Sequence, residues 1–240
     1  MMTRSTCRKT MTIHTTMDGH ALIIGGKRYD CAVRVLTWHD HGIQFRAGEG
    51  FNKRRKKDID LWVWHWSGGE NPPDRMTETL RKEKLGIETA IYKGVIWQFC
   101  DPLLVDTADA NYVNARSGGT EIVNYGFCGV PKSIPSAGKN RATYVCKLRS
   151  KKRRFAHFHT EDIAAALALA DTLSFALKIP KTVPIFTDSA GNSLLISGTL
   201  TKKEMSFFSG HVGHFHINPE KDDPGLDLLE IFRVAWASEL

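Results

Sequence analysis

The sequence predicts an α/β fold: a mixed central β-sheet flanked by helices on both faces, with extra N-terminal strands. Three observations carry this reading. Buried-looking extended runs such as Leu61-Trp62-Val63-Trp64 alternate along the chain with helical stretches such as the Ala/Leu-rich segment ending at Leu177. Strands interleaved with helices settle as a sheet with helices packed on its faces. The chain has 240 residues, 42% of them hydrophobic, which is enough for one large core. It shows no internal repeat and no linker long enough to detach a second module. The expected organisation is a loose tail over 1–11 and a single domain over 12–240, divided into an N-terminal strand extension (12–58) and a core (59–240).

Each element has a local reason. Ala21–Ile24 and Tyr29–Thr37 flank Gly25-Gly26 and read as a hairpin of short strands. Gly25-Gly26-Lys27 lacks the spacing of a phosphate loop and is a turn. Trp38-His39-Asp40-His41 reads as a polar turn, because no third metal ligand stands near it in sequence. Ile43-Gln44-Phe45 is expected to form a third strand, and Gly48–Lys57 a basic loop. Asp60–Trp66 is a buried strand. Asn71 is placed to cap a helix with Pro72 and Pro73 in its first turn, running to about Lys84 and stopping at Gly86. Glu88–Ile91 and Val95–Phe99 form a hairpin around Lys93-Gly94, and Thr120–Tyr125 a further core strand.

Gly129–Asn140 is rich in Pro, Ser and Gly and reads as a loop. Thr160 is the expected N-cap of the clearest helix, with Glu161 and Asp162 at its positive end and Pro180 beyond its stop. Asp188–Asn192 is a turn between two extended pieces, and Thr201-Lys202-Lys203-Glu204 opens a short helix. Leu228, Leu229, Phe232, Ala235 and Trp236 recur with the spacing of a terminal amphipathic helix.

Charge narrows the partners. The formal net charge is +7 and the pI about 9.2. Two runs dominate, Lys53-Arg54-Arg55-Lys56-Lys57 and Lys151-Lys152-Arg153-Arg154. Such a balance favours polyanionic partners: nucleic acid, anionic lipid or a bacterial envelope. The plain alternative is solvated loop charge. No specific nucleic acid is expected, because no aromatic platform interleaves with the runs. No run of about 18 apolar residues is present, so no transmembrane segment is expected. Met1–Lys9 is basic without an apolar stretch behind it, which predicts synthesis in a cytoplasm without a signal peptide. The five cysteines, Cys7, Cys31, Cys100, Cys128 and Cys146, are odd in number and lack CxxC spacing, as reduced thiols would. A monomer is expected.

The chemistry concentrates in Gly213-His214-Phe215-His216-Ile217-Asn218-Pro219-Glu220-Lys221-Asp222-Asp223-Pro224-Gly225. Imidazoles, a lysine and three carboxylates, Glu220, Asp222 and Asp223, share one short turn. A catalytic Zn²⁺ takes three protein ligands and leaves a fourth position open, so this turn needs one ligand from elsewhere. His65, at the end of the Trp-rich strand, is the best donor, although alone it is an ordinary core histidine. His211 and His216 compete with His214, and Asp222 with Asp223.

With these pieces side by side, the chain resembles the zinc-dependent N-acetylmuramoyl-L-alanine amidases, a fold family shared with amidase-type phage endolysins and peptidoglycan-recognition proteins. Val63-Trp64-His65-Trp66-Ser67 is similar to the family's first-ligand strand. Tyr92–Phe99 resembles its "G-x-I-x-Q" hairpin, and Asn114–Ile122 its "N-x-x-S-I-G-I-E" segment. Gly213-His214 with Lys221-Asp222-Asp223-Pro224-Gly225 resembles its closing "G-H … K-x-D-P-G" motif, the most specific of the four. The likeness spans roughly residues 60–235.

The resemblance implies a Zn²⁺ held by His65, His214 and Asp223. Asp223 is preferred because it directly precedes Pro224-Gly225, as the family ligand does. It implies Glu121 as proton shuttle, against a strand-edge carboxylate paired with a base. It implies Lys221 as oxyanion partner, against a solvated turn lysine. Asn114, Asp109 and Trp66 would bind substrate, and His216 would support the ligands without touching the metal. Two positions depart from the pattern: Asp109 stands where relatives often carry a histidine, and Ile87 where some place a tyrosine. The implied activity is hydrolysis of the amide between N-acetylmuramic acid and L-alanine in peptidoglycan, by an endolysin made in a host cytoplasm and acting on the wall after release. The alternatives are a cytoplasmic muropeptide-recycling amidase and a peptidoglycan-binding protein without turnover.

Overall fold

The computed structural model describes residues 19–49, 51–54, 58–107, 110–126 and 142–238. In chain order, β1 (Ala21–Ile24) and β2 (Lys27–Asp30) form a hairpin, followed by β3 (Val35–Leu36) and the four-residue helix α1 (Trp38–His41). β4 (Asn52–Lys53) precedes the strand β5 (Leu61–Trp66) and helix α2 (Pro73–Lys82). β6 (Thr89–Tyr92) and β7 (Val95–Gln98) form a second hairpin, and β8 (Val105–Asp106) pairs with β4. A 3₁₀ turn over Asn111–Arg116 leads directly into β9 (Ser117–Ile122). β10 (Thr143–Leu148) and β11 (Lys151–Ala156) form a hairpin ahead of helix α3 (Thr160–Leu177). β12 (Ile185–Thr187) pairs with β13 (Ser193–Leu195). The chain closes with α4 (Lys202–Phe207), β14 (Gly210–Gly213), α5 (His214–Ile217) and α6 (Asp227–Ala237).

Six strands form the central sheet, in the order β14-β5-β9-β6-β7-β3. β14, β5, β9 and β6 run parallel, β7 turns back against β6, and β3 lies parallel to β7. The sheet is therefore mixed, and β3 extends its far edge. β5 sits between two parallel neighbours and is covered on both faces, which is why it reads as a continuous apolar run rather than an alternating one. Trp62 and Trp64 point into a core shared with Leu169 of α3 and Phe232 of α6. Leu61 and Val63 point the other way, to Met205 of α4, Val212 and Ile217. Helices therefore cover both faces. Both β5 indole N–H groups have an acceptor: Trp62 Nε1 donates to Thr120 Oγ1 at 2.8 Å, and Trp64 Nε1 to His211 Nδ1 at 3.2 Å. Truncating either ring to Ala costs about 3–5 kcal/mol.

Several local expectations need correction. Ile43-Gln44-Phe45 is not a strand: Phe45 donates one backbone hydrogen bond to Phe99 O and packs its ring between Phe51 and Phe99. Trp38–His41 is helical rather than a turn, because Thr37 and Asp40 make a reciprocal capping box. Pro72, not Asn71, occupies the N-cap of α2. His159, not Thr160, occupies that of α3, without a side-chain cap. Asp162 instead accepts the Gly94 N–H at 2.8 Å and ties α3 to the β6–β7 turn. Thr201 does cap α4, with Glu204 reciprocating. The core strand expected at Thr120–Tyr125 begins at Ser117 and ends at Ile122. β10, β11, β14 and the 3₁₀ turn have no counterpart in the sequence reading.

The basic runs are not uniform solvated loops. Arg54 is buried and salt-bridged to Glu88, and Lys151–Arg154 lies within β11. The tail 1–11, the Gly129–Asn140 loop, Arg55–Lys57, Asp109, Cys7 and Cys128 lie outside the described residues. Cys31 and Cys146 are free thiols. No helix among the described residues is long and apolar enough to cross a membrane.

Candidate metal centre

The parallel register brings three side chains to one end of the sheet. β14 pairs with β5 so that Gly213 stands opposite Trp64, and the next residue, His214, arrives beside His65. On the other flank Glu121 of β9 stands opposite His65. Strand alternation sends His65 to the face opposite Trp64. The carboxyl ends of parallel strands are where open α/β sheets bind ligands.

The closing turn supplies the fourth group. Phe215 N–H donates to Asp223 O at 3.1 Å, Asn218 N–H to His214 O at 2.9 Å and Lys221 N–H to Asn218 O at 3.1 Å. These bonds fold the 218–223 segment back over α5 and aim Asp223 at the two histidines. Gly213 permits the approach. A Cβ there would stand 2.6 Å from the Phe215 ring and 2.8 Å from Pro224.

His65 Nδ1 and His214 Nδ1 lie 3.0 Å apart, and Asp223 Oδ2 lies 3.2 Å from the first and 3.1 Å from the second. All three residues are buried. Hydrogen bonding alone satisfies this triangle poorly. If both Nδ1–H groups donate to the carboxylate, two N–H donors converge on each other. If one nitrogen is bare, a contact to the carboxylate loses its proton. A cation suits all three lone pairs. Tetrahedral bonds of about 2.0–2.2 Å separate neighbouring ligand atoms by about 3.3–3.6 Å, close to the edges found here. Two imidazole nitrogens and one carboxylate oxygen are a donor set suited to Zn²⁺.

Electrostatics favour the ligating forms. Burial pushes His65 down to about 4, with the Asp223 hydrogen bond acting against it, so the imidazole is neutral near pH 7. Burial alone would raise Asp223, but hydrogen bonds from His214 and His65 outweigh it and hold the carboxyl below its usual range. Metal ligation needs this pairing of neutral imidazole with ionised carboxylate. Glu121 behaves oppositely. Burial first, then the Asp223 charge, raise it to about 8, while Lys221 pulls it down. Its Oε2 and the Nε2 of His65 are buried without a hydrogen-bond partner among the described residues.

A cleft of about 790 Å³ opens over these groups. His65, His214, Asp223, Glu121 and Lys221 line its polar side, and Leu80, Leu85 and Ile87 form an apolar wall. Asn114 lines it too, although its side-chain oxygen already accepts the Ala110 N–H at 2.7 Å. Trp66 reaches the rim while its ring packs 5.2 Å from Phe155. His216 stays out of the cleft: its Nδ1 accepts Gly213 N–H at 3.1 Å and its Nε2 lies 2.8 Å from Ile196 O. His211 bonds Trp64 and Ser174 instead. Asp222 turns from the His65, His214 and Asp223 triangle and bonds Arg149.

The sequence reading missed Asn111, Leu80 and Leu85 of the cleft lining. It also missed the buried Arg54 beneath it, whose guanidinium donates to Asn114 O, Ser117 O and Glu88 at 3.0, 2.8 and 3.2 Å. Only the positive φ of Asn111, +60°, has a sequence correlate, since Asn tolerates that region.

No protein-family model and no curated protein matches the chain. Solved structures similar to it include the endolysin amidase LysCS from Clostridium intestinale URNW (12% identity, 81% of this chain and 94% of that one, TM-score 0.49). The Ph2119 endolysin from the Thermus scotoductus MAT2119 bacteriophage is 14% identical over 84% of this chain and 97% of its own, with TM-score 0.49. Drosophila peptidoglycan recognition protein SD is 14% identical over 84% and 94%, with TM-score 0.48.

Proposed function

We propose that this chain is a zinc-dependent N-acetylmuramoyl-L-alanine amidase that cleaves peptidoglycan between the lactyl group of N-acetylmuramic acid and L-alanine, in the manner of a phage or prophage endolysin. The observation that carries the reading is the buried triangle of His65 Nδ1, His214 Nδ1 and Asp223 Oδ2, with edges of 3.0–3.2 Å at the floor of an open cleft. The closing motif in which two of those ligands lie supports the bond assigned. The basic balance of +7 favours an anionic wall as the place of work.

Zinc held by these three groups would supply a Lewis acid and an acidified water. The remaining chemistry falls to the chain itself. Glu121, whose carboxyl burial and the Asp223 charge raise, lines the same cleft and is the group assigned to accept a proton from water and return it to the leaving amine. Lys221 lines the same cleft and carries the charge that a developing oxyanion needs. Trp66, Asn114 and Asp109 are proposed to hold substrate, and His216 to buttress the ligand helix through Gly213.

Mass spectrometry of digested sacculi tests the reading through the new ends. Free L-alanine amino termini together with intact muramic acid carboxyls are expected. Ends at a glycosidic or inter-peptide bond would refute it. Activity on soluble fragments alone would point to a recycling amidase. Ile87, an apolar wall residue, favours a second reading as a binder, which zinc and sacculus retention without any new ends would support.

A further inference from the structure

The structure assigns Arg149 and Arg153 a role as positioning residues that set the metal-ligand turn through Asp222. The inference rests on the zinc reading of His65, His214 and Asp223. Asp222 and Asp223 are neighbours with opposite duties. Asp223 reaches the two histidines, while Asp222 faces the β10–β11 hairpin. Arg149 spans two groups of the turn with one guanidinium: Nη1 donates to Lys221 O at 2.7 Å, and Nη2 bonds Asp222 Oδ1. Arg153 places its Nε 3.2 Å from the other carboxylate oxygen. Two cations thus grip one carboxylate, and the same grip holds the backbone of Lys221, whose ammonium serves the cleft.

The hairpin is built to deliver this grip. Arg149 and Ser150 both take positive φ, +49° and +68°, without glycine. Non-glycine residues keep such backbones only where surrounding contacts impose them. Arg149 N–H is anchored on Ser197 O at 2.9 Å. On β11, alternation turns Arg153 inward on the side of buried Phe155 and leaves Lys152 and Arg154 exposed. An exposed ion pair contributes little to stability. Here the Asp222 and Arg149 side chains are only 19% and 21% exposed, and the pair sits one residue from a ligand, so its effect should appear in the metal site.

The experiment is zinc affinity by competition with a chromophoric chelator, on the full chain. The set is wild type, Arg149→Ala, Arg149→Lys, Asp222→Asn, the Arg149→Ala/Asp222→Asn pair, and Lys152→Gln. Arg149→Ala and Asp222→Asn should each weaken zinc about 10–100-fold, the usual effect of losing a partner that orients a ligand. The pair should lose less than the sum of the two single changes, since both remove the Arg149–Asp222 interaction. Arg149→Lys should recover only part, because an ammonium cannot span Lys221 O and Asp222 together. Lys152→Gln should bind zinc as wild type does. If Arg149→Ala does not fold, Arg149→Lys and Asp222→Asn carry the comparison. Unchanged affinity in those variants, or losses that add in the pair, would overturn the clamp while leaving the zinc site standing. A wild type that holds no zinc would overturn both.

Discussion

Nδ1 of His65 lies 3.0 Å from Nδ1 of His214, and both nitrogens reach the same oxygen of Asp223. Three buried polar atoms in mutual contact are costly without a cation to share. A metal bound at this triangle should therefore stabilise the fold. At a zinc concentration 100-fold above Kd, linkage adds about 2.7 kcal/mol. Denaturant midpoints with zinc and with excess chelator measure the difference, and coincident curves would argue against metal at this triangle.

Lys221 and Glu121 line the cleft without belonging to the triangle, so their loss should leave zinc in place. Lys221→Ala should lower kcat about 10²–10³-fold, the scale of one oxyanion donor. Lys221→Arg should rescue poorly, since a planar fork does not replace a compact charge. Glu121→Ala should retain zinc yet change the pH dependence of turnover, as a lost proton acceptor would. Normal turnover in Lys221→Ala, with loss instead in Lys202→Ala or Lys203→Ala, would move the oxyanion partner to α4.

Arg54 separates fold from binding within the first basic run. Its side chain is 1% exposed and bonded to Glu88, whose Oε2 in turn accepts Gly119 N–H at 2.7 Å. Burial raises the Glu88 carboxyl, and the Arg54 charge opposes that shift. Removing one partner of such a pair leaves a buried uncompensated charge and costs about 3–5 kcal/mol. Arg54→Ala should lower the unfolding midpoint sharply, whereas Lys53→Gln should not. Equal midpoints for the two variants would contradict the buried pair. Replacing the exposed Lys53 together with Arg55, Lys56 and Lys57, and leaving Arg54, is the clean probe of sacculus binding. Binding should weaken mostly at low salt.

His211 gives the acid limb of stability. Burial, with a minor contribution from Lys181, pushes it down to about 3, and burial likewise takes His216 to about 4. Trp64 Nε1–H donates to His211 Nδ1, so the ring proton sits on Nε2 and faces Ser174. The unfolded chain takes up protons on both residues below about 6.5 and the native chain does not. Stability is thus complete above that pH and falls on acidification toward 4, by up to about 1.4 kcal/mol per pH unit for each residue. His211→Asn should flatten the slope of unfolding free energy between pH 6 and pH 4.5. An unchanged slope would show that the ring is not held neutral.

How much of this was legible follows from where each signal lies. β5 announced itself because a strand covered on both faces is apolar at every position. The closing turn announced itself because two of the three residues of the triangle, with Lys221, are close in sequence. β14 carried no such mark: Gly210-His211-Val212-Gly213 has weak strand propensity, and its extended form comes from pairing with β5. The β10–β11 hairpin was hidden because its turn residues, Arg149 and Ser150, replace the Asn-Gly type of signal. Arg54 looked like one charge in a run of five, since its partner Glu88 lies 34 residues away. The Asp222 clamp was invisible for the same reason, with Arg149 73 residues distant.

Zinc content per chain tests the central claim most directly. Elemental analysis of protein purified without added metal should find about one zinc in wild type, as a three-ligand site with an open position requires. His65→Ala and His214→Ala should each hold little zinc and show no turnover, while Lys221→Ala holds a full complement. Full occupancy in both histidine variants, or a wild type that takes up no zinc when it is supplied, would contradict the assignment of His65, His214 and Asp223.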